Sequence, residues 1–261
     1  MSVDPFRAAA LFLGHGNPMH ALDPGPVVTD WRRLGEELRR PQAILVISAH
    51  WTLDHGAVTA MAAPRTIHDF GGFPRALYQI RYPCPGSPAL AQRIIHALQP
   101  LSVEADQQWG LDHGAWCLLR YLYPQADIPV LQLALDLSHP PSFHYALGQR
   151  LAFLREEGVL LLGSGNIVHN LGKVQWDTDA PPYPWALAFD QWVREKMVDE
   201  DIEALCDWDK WSDAGRLSVP TPEHFLPLLT VLGARLPGDV LDFPVTGMEM
   251  GAISMTGVRL G

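Results

Sequence analysis

The chain has 261 residues, of which 48% are hydrophobic and 18% charged, which excludes a disordered chain built on low hydrophobicity and high net charge. Nineteen Lys plus Arg stand against 29 Asp plus Glu, a formal net charge of −10. With no basic run longer than Arg39-Arg40, a nucleic-acid partner is disfavoured, because a phosphate backbone calls for a basic face. The first residues, MSVDPFRAAALFLG, carry Asp4 and Pro5 where a secretory signal needs positive charge. No apolar run approaches the roughly 18 residues of a membrane span. Cys84, Cys117 and Cys206 form no CxxC pair and read as free thiols in a reducing compartment. The expectation is a soluble, cytoplasmic protein with no membrane partner.

The elements follow in chain order. Residues 10–13 form a continuous apolar run, read as a strand covered on both faces. Residues 29–39 carry Trp31, Leu34 and Leu38 at helical spacing. A second buried strand is read at 43–48 and a weaker one at 57–61. Ser87-Pro88 is a cap followed by Pro at the first helical position, opening a helix over 89–98. A strand follows at 128–135, then a helix over 142–157 stopped by Gly158, then a strand at 159–162. Residues 184–198 are amphipathic. Thr221-Pro222 repeats the cap-plus-Pro signal and opens a helix through Leu232, ended by Gly233. Residues 252–260 are a further weak strand. Strands alternating with helices predict an α/β fold. The expected form is a single domain over residues 1–261, with a central mixed, largely parallel sheet flanked by helices. Ligands of such sheets collect beyond the carboxyl ends of the strands.

Eleven histidines are present, and their positions are informative. His15 follows the first strand inside Gly14-His15-Gly16, and His50 follows the second in Ser48-Ala49-His50-Trp51. His169 lies past residues 159–162, in Gly163-Ser164-Gly165-Asn166-Ile167-Val168-His169-Asn170. Two histidines after adjacent strands raise a metal site, weighed against two separate structural roles. His224 falls in the first turn of the helix opened by Pro222. The positive end of the helix dipole would keep its imidazole neutral, as a metal requires; the alternative is a simple capping role. His113, in Asp112-His113-Gly114, is a loop candidate with Asp112 as the partner orienting its ring. His68 is divided between loop packing and substrate contact, and His96 is read as solvated. His20, His55, His139 and His144 carry no signal. GxSxG, P-loop, GxGxxG and HExxH motifs are absent from the sequence. A triad of Ser164 and His169 is conceivable but unsupported.

The motifs Leu11-Phe12-Leu13-Gly14-His15-Gly16, Ile47-Ser48-Ala49-His50-Trp51, residues 67–73, Asp112-His113-Gly114, Gly165 to Asn170, Thr221-Pro222-Glu223-His224 and Gly247-Met248-Glu249-Met250-Gly251 occur in that order. With them the chain closely resembles the 4,5-DOPA extradiol dioxygenase family. This is a branch of the class III extradiol ring-cleaving dioxygenases, the protocatechuate 4,5-dioxygenase type. The resemblance runs from about residue 10 to the end. It implies cleavage of a catechol ring by O2 next to the two hydroxyls, at non-haem Fe(II), giving from DOPA a seco-DOPA semialdehyde that cyclises. By the same resemblance His15, His50 and His224 are the metal ligands and His169 is the acid/base. The pKa expected of His169 in that role is near neutrality, the ordinary range of imidazole. Some descriptions of the family count His169 as a fourth ligand. His113 lines the substrate pocket. Glu223 is the alternative carboxylate ligand. An all-histidine site also suits zinc, so Zn(II) is an alternative occupant of the site in purified protein. Arg65, Arg75 and Arg81 are candidates to bind a substrate carboxylate, against the alternative of solvated surface arginines. Two other readings use the same residues: a zinc-dependent hydrolase, and a metal-binding protein without turnover.

Overall fold

The computed structural model describes residues 7–261. The strands are β1 (Ala10–Gly14), β2 (Ala43–Leu53), β3 (Gly56–Thr59), β4 (Val103–Asp106), β5 (Val130–Asp136), β6 (Val159–Gly165), β7 (Leu241–Val245), β8 (Met248–Glu249), β9 (Ile253–Ser254) and β10 (Gly257–Leu260). The helices are α1 (Pro26–Glu37), α2 (Pro88–Leu98), α3 (His113–Leu122), α4 (Pro141–Leu151), α5 (Phe153–Glu156), α6 (Pro184–Val198), α7 (Ile202–Cys206), α8 (Trp208–Trp211), α9 (Asp213–Ser218) and α10 (Leu226–Gly233).

Eight strands form one sheet in the order β4-β3-β5-β2-β6-β1-β10-β7, and β8 pairs with β9 apart from it. The middle of the sheet is parallel: β5 with β2, β2 with β6, and β6 with β1. The β3–β5, β1–β10 and β10–β7 pairings are antiparallel. The mixed, centrally parallel sheet flanked by helices matches the expectation.

Both faces of the central strands are buried, which is why they read as unbroken apolar runs. Side chains alternate across the pleat. Leu11, Leu13, Ile44, Val46, Leu160 and Leu162 pack with Val28 and Trp31 of α1 and Trp116 of α3. Phe12, Leu45, Ile47 and Leu161 pack on the other face, against α2, α4 and α10 through Ile94, Leu151 and Leu228. Ser87 caps α2 as expected, accepting from Leu90 N–H at 3.3 Å.

Several boundaries differ from expectation. The expected helix over 142–157 is two helices, α4 and α5, with Ala152 between them. The helix expected from Pro222 is a 3-10 turn, Pro222–His224, followed by α10 from Leu226. Residues 252–260 hold β9 and β10 rather than one strand. Short β4 and β7 had no distinct apolar signal, since they are mostly half-buried or exposed strands towards or at the sheet edge. Between residues 176 and 211, Trp192 and Trp208 are core, whereas Trp176 is 79% exposed. No helix among the described residues is long and apolar enough to cross a membrane.

Candidate metal centre

Three of the four central parallel strands deliver their carboxyl ends to one place. His15 is the first residue after β1. His50 lies within β2, not after it. The strand continues to Leu53, and its pairing with β5 slips between Ile47 and Thr52. Such an irregularity re-aims a side chain beside a site. Beyond β6 the chain turns through Asn166 to His169, whose N–H donates to Ser218 O at 2.9 Å. His224 ends the 3-10 turn. Its carbonyl accepts from Asn166 N–H at 2.9 Å. A Cβ on Gly165 would stand 2.1 Å from that carbonyl oxygen, so only glycine lets the turn close on β6. His113 is the first residue of α3 rather than part of a loop.

The five rings converge. His15 Nε2 and His50 Nε2 are 3.0 Å apart. The His224 ring centre lies 5.3 Å from that of His15 and 5.1 Å from that of His50. His113 is 3.9 Å from His50, ring centre to ring centre, and His169 stacks on His224 at 3.5 Å. His15, His113 and His224 are buried, while His50 and His169 are partly buried. A cavity of about 650 Å³ opens over them, with Phe70, Phe73 and Ile253 among its walls.

Three of the rings, those of His15, His224 and His113, are held by a second group. Ser164 Oγ donates to Gly114 O at 2.7 Å and so accepts from His15 Nδ1–H at 3.0 Å. This leaves the lone pair on His15 Nε2. A Cβ on Gly114 would stand 2.6 Å from Ser48 Oγ and 3.1 Å from His50 Cδ2, so α3 can approach only through a glycine. His224 Nδ1–H donates to Glu223 Oε1 at 3.1 Å, and its Nε2 is buried with no hydrogen-bond partner among the described residues. Asp69 takes both donors of His113, the main-chain N–H on Oδ1 and Nδ1–H on Oδ2, each at 2.8 Å. The same Oδ2 is 3.5 Å from His50 Nδ1.

Burial is the main electrostatic force on the cluster. It drives the imidazoles of His15 and His50 well below their ordinary pKa, and the other histidines add to the effect. His169 is pushed down to about 3 by burial and by His224. The expectation of a near-neutral pKa for it fails for that reason. His224 is lowered by burial, opposed by Glu223; the helix-dipole reason does not apply, since a 3-10 turn replaces the helix start. Burial alone would raise the Glu223 carboxyl, but hydrogen bonds from His224 and Thr221 bring it down to about 2.

These donors fit a metal. Neutral imidazole is the ligand form, and second groups fix the tautomers of His15 and His224. Two nitrogens about 2.1 Å from one ion at a near-right angle stand about 3 Å apart, as the His15 and His50 nitrogens do. A buried ring nitrogen without a partner, as on His224, is costly unless something binds it. Among the described residues, the closest set of three donors is His15, His50 and His113, whose ligand atoms lie within 4.8 Å of one another.

Other expectations need correction. Asp112 does not orient His113. It caps α3 by accepting from Ala115 N–H and also takes Ser48 Oγ–H and Gln132 Nε2–H. Asp69, 44 residues from His113, is the partner that the sequence reading missed. Arg65, Arg75 and Arg81 do not line the cavity. Arg65 donates to Trp109 O, and Arg81 to Tyr78 O and Ile80 O. His68 bonds Ile80 O, the packing role. His20, which carried no signal, is buried against Glu249 at 2.8 Å. Ser164 serves His15, not His169, so no serine triad forms. The cysteines are free, and burial pushes their thiols up, to about 12 for Cys84 and about 11 for Cys206.

Residues 10–256 match the family described as the catalytic LigB subunit of aromatic ring-opening dioxygenase. The chain is 50% identical over 258 residues to the 4,5-DOPA dioxygenase extradiol of Escherichia coli K12, covering 98% of this chain and 95% of that one. It is 42% identical over 232 residues to the 4,5-DOPA dioxygenase extradiol of Beta vulgaris, covering 85% of each. The crystal structure of an uncharacterized protein from Escherichia coli K12 superposes with a TM-score of 0.85 at 45% identity, covering 98% of this chain and 100% of that one. The relatives do not favour the zinc-hydrolase reading. The chain belongs to the LigB family of aromatic ring-opening dioxygenases.

Proposed function

We propose that the chain, as one catalytic domain over residues 1–261, cleaves the ring of a DOPA-type catechol with O2 at an extradiol position. Non-haem Fe(II) is held by His15, His50 and His224. The observation that carries this reading is the division of labour on the rings. His15 and His224 each commit Nδ1 to a fixed oxygen and turn Nε2 towards the cluster, and that of His224 has no other partner. His113 forms the closer trio with His15 and His50 and is therefore the competing third donor. Asp69 holds both its Nδ1–H and its main-chain N–H, which suits it to hold a substrate oxygen from the cavity wall.

When bound, Fe(II) lowers the pKa of the catechol hydroxyls and brings catechol and O2 together. The chain's own residues supply the rest. His169 is neutral in the resting site and stands ready to take a hydroxyl proton on a ring nitrogen. An anionic substrate oxygen beside it raises its basicity, and the same ring returns the proton later. Phe70, Phe73 and Ile253 limit water around the reacting groups. The three-histidine set also suits Zn(II), which binds such ligands more tightly in the general affinity order. The free thiols, of which Cys84 and Cys117 are buried, fit a reducing, cytoplasmic setting.

The test is anaerobic Fe(II) reconstitution of metal-stripped protein, followed by DOPA and a small catechol panel in air. Oxygen uptake with a new yellow absorber is the expected result. No uptake with Fe(II), beside full occupancy by zinc, would move the reading to a hydrolase or a binding protein. For the third ligand, His224→Ala loses the metal and His113→Ala keeps it with little turnover. The reverse pattern exchanges their roles.

A further inference from the structure

The catechol oxygens engage the metal, so the rest of a DOPA-type substrate must find its partners on the cavity wall. No lysine or arginine among the described residues lines it. The carboxylate of the tail therefore depends on neutral donors. Asn170 Nδ2–H is already given to Leu217 O and Thr221 Oγ1–H to Glu223 Oε1. Outside the histidines, Asn17 and Trp176 are the lining side chains whose N–H has no hydrogen-bond partner among the described residues. Trp176 is 79% exposed. Asn17 is half-buried and its amide is fixed. Its Oδ1 accepts from Met19 N–H at 2.9 Å, at the start of the 3-10 turn Pro18–Ala21. Turning the amide over would set its NH2 against that N–H, so Oδ1 stays there and Nδ2 is left as a free donor. The placement of Asn17 suits a tail rather than a ring. Asn17 and Met250 wall both the metal cavity and an adjoining one of about 250 Å³, and none of the five clustered histidines lines the second. Asn17 thus stands at the margin of the metal cavity. It follows His15 by two residues, which span at most about 7 Å of chain, so its amide stays within reach of a short tail on a ring held at the metal.

We propose that Asn17 is a specificity-determining residue, whose Nδ2 donates to the carboxylate of the substrate's amino-acid tail where the two cavities meet. The bond to Met19 N–H holds the donor in place before substrate arrives, so little ordering is lost on binding. A wall group that hydrogen-bonds the tail discriminates against catechols that lack the matching acceptor. This inference rests on the ring-cleavage reading and assigns a recognition element for its DOPA-type substrate.

Two variants keep an acceptor for Met19 N–H, since Ser and Asp cap as Asn does, and change the donor. Asn17→Ser withdraws it, and Asn17→Asp replaces it with an anionic oxygen. Three probes share the catechol ring: DOPA, 3-(3,4-dihydroxyphenyl)propionate, which lacks the ammonium, and 2-(3,4-dihydroxyphenyl)ethylamine, which lacks the carboxylate. Equilibrium binding to Fe(II)-reconstituted protein is measured by calorimetry without oxygen, and KM and kcat are then measured in air. Metal content is determined for each variant, because His15 is two residues away. Asn17→Ser is expected to weaken DOPA and the propionate about tenfold and the amine by less than about threefold. The loss falls on KM more than on kcat. Asn17→Asp weakens the two carboxylates further and does not weaken the amine. All three probes weakened alike, none weakened, or metal lost from both variants overturns the inference while leaving ring cleavage intact. Failure of the unaltered protein to consume oxygen with any of the three overturns the ring-cleavage reading on which it rests.

Discussion

Ser164→Ala tests how the metal centre is organised without removing a proposed ligand. The side chain is completely buried. It receives His15 Nδ1–H at 3.0 Å and passes its own proton to Gly114 O at 2.7 Å. Alanine leaves His15 Nδ1–H buried without this acceptor, or releases the ring to the other tautomer. An unsatisfied buried donor costs about 1–3 kcal/mol. Removing an outer partner of a ligating histidine typically costs 10- to 100-fold in metal affinity, or about 1.4–2.8 kcal/mol. The two routes give the same range. A competition titration of metal-stripped protein with a chelating dye should therefore show a 10- to 100-fold rise in Kd, and circular dichroism should be unchanged. The rise should vanish when the change is made in a His15→Ala background, because the hydroxyl acts through that ring. Unchanged metal affinity, or an equal loss in both backgrounds, would refute the reasoning.

The other predictions touch other parts of the molecule. His169→Ala retains the metal and loses most turnover; metal loss in an elemental assay would make His169 a ligand instead. His144 is buried with both ring nitrogens unpartnered among the described residues, and burial brings its pKa from 6.5 down to about 4. The unfolded chain therefore takes up this proton first as pH falls, so the stability it contributes is present above 6.5 and lost on the way down to 4. This loss is about 2 kcal/mol between pH 7 and pH 5. His144→Leu should flatten the pH dependence of urea unfolding by that amount, and equal slopes in both proteins would sink the argument. Arg155 is fully buried and bonds Asp239 as well as the carbonyls of Ala8, Ala234 and Leu260. Arg155→Met leaves Asp239 with Leu236 N–H and a long contact to Arg7. It should cost about 3 kcal/mol in chemical denaturation; a loss below about 1 kcal/mol would show that the pair is not a structural tie.

The sheet was legible because its central strands are buried on both faces and therefore apolar without interruption. The positions of His15 and His169 were legible because ligands gather past the ends of parallel strands. Elements held by long-range contacts were less visible. Strand β2 runs on through His50 to Leu53, past the end of its apolar run. The 3-10 turn at His224 exists because its carbonyl closes on Asn166 N–H, a contact that no local pattern announces.

The partners of the histidines were the least legible part, and the reason is physical. Asp112 precedes His113 in the chain, which makes it an attractive partner on paper. At a helix start, however, a preceding Asp is better placed to cap the backbone, and Asp112 does so. The ring of His113 instead finds Asp69, and that of His15 finds Ser164 from 149 residues away. Glu223 and His224 are the exception, neighbours in both chain and space, because a 3-10 turn carries the bond rather than a regular helix. Among the proposed ligands, His15 is placed by where β1 ends, which a local apolar pattern reveals. The groups that choose their tautomers are set by which elements the fold brings together, and there sequence adjacency is a poor guide.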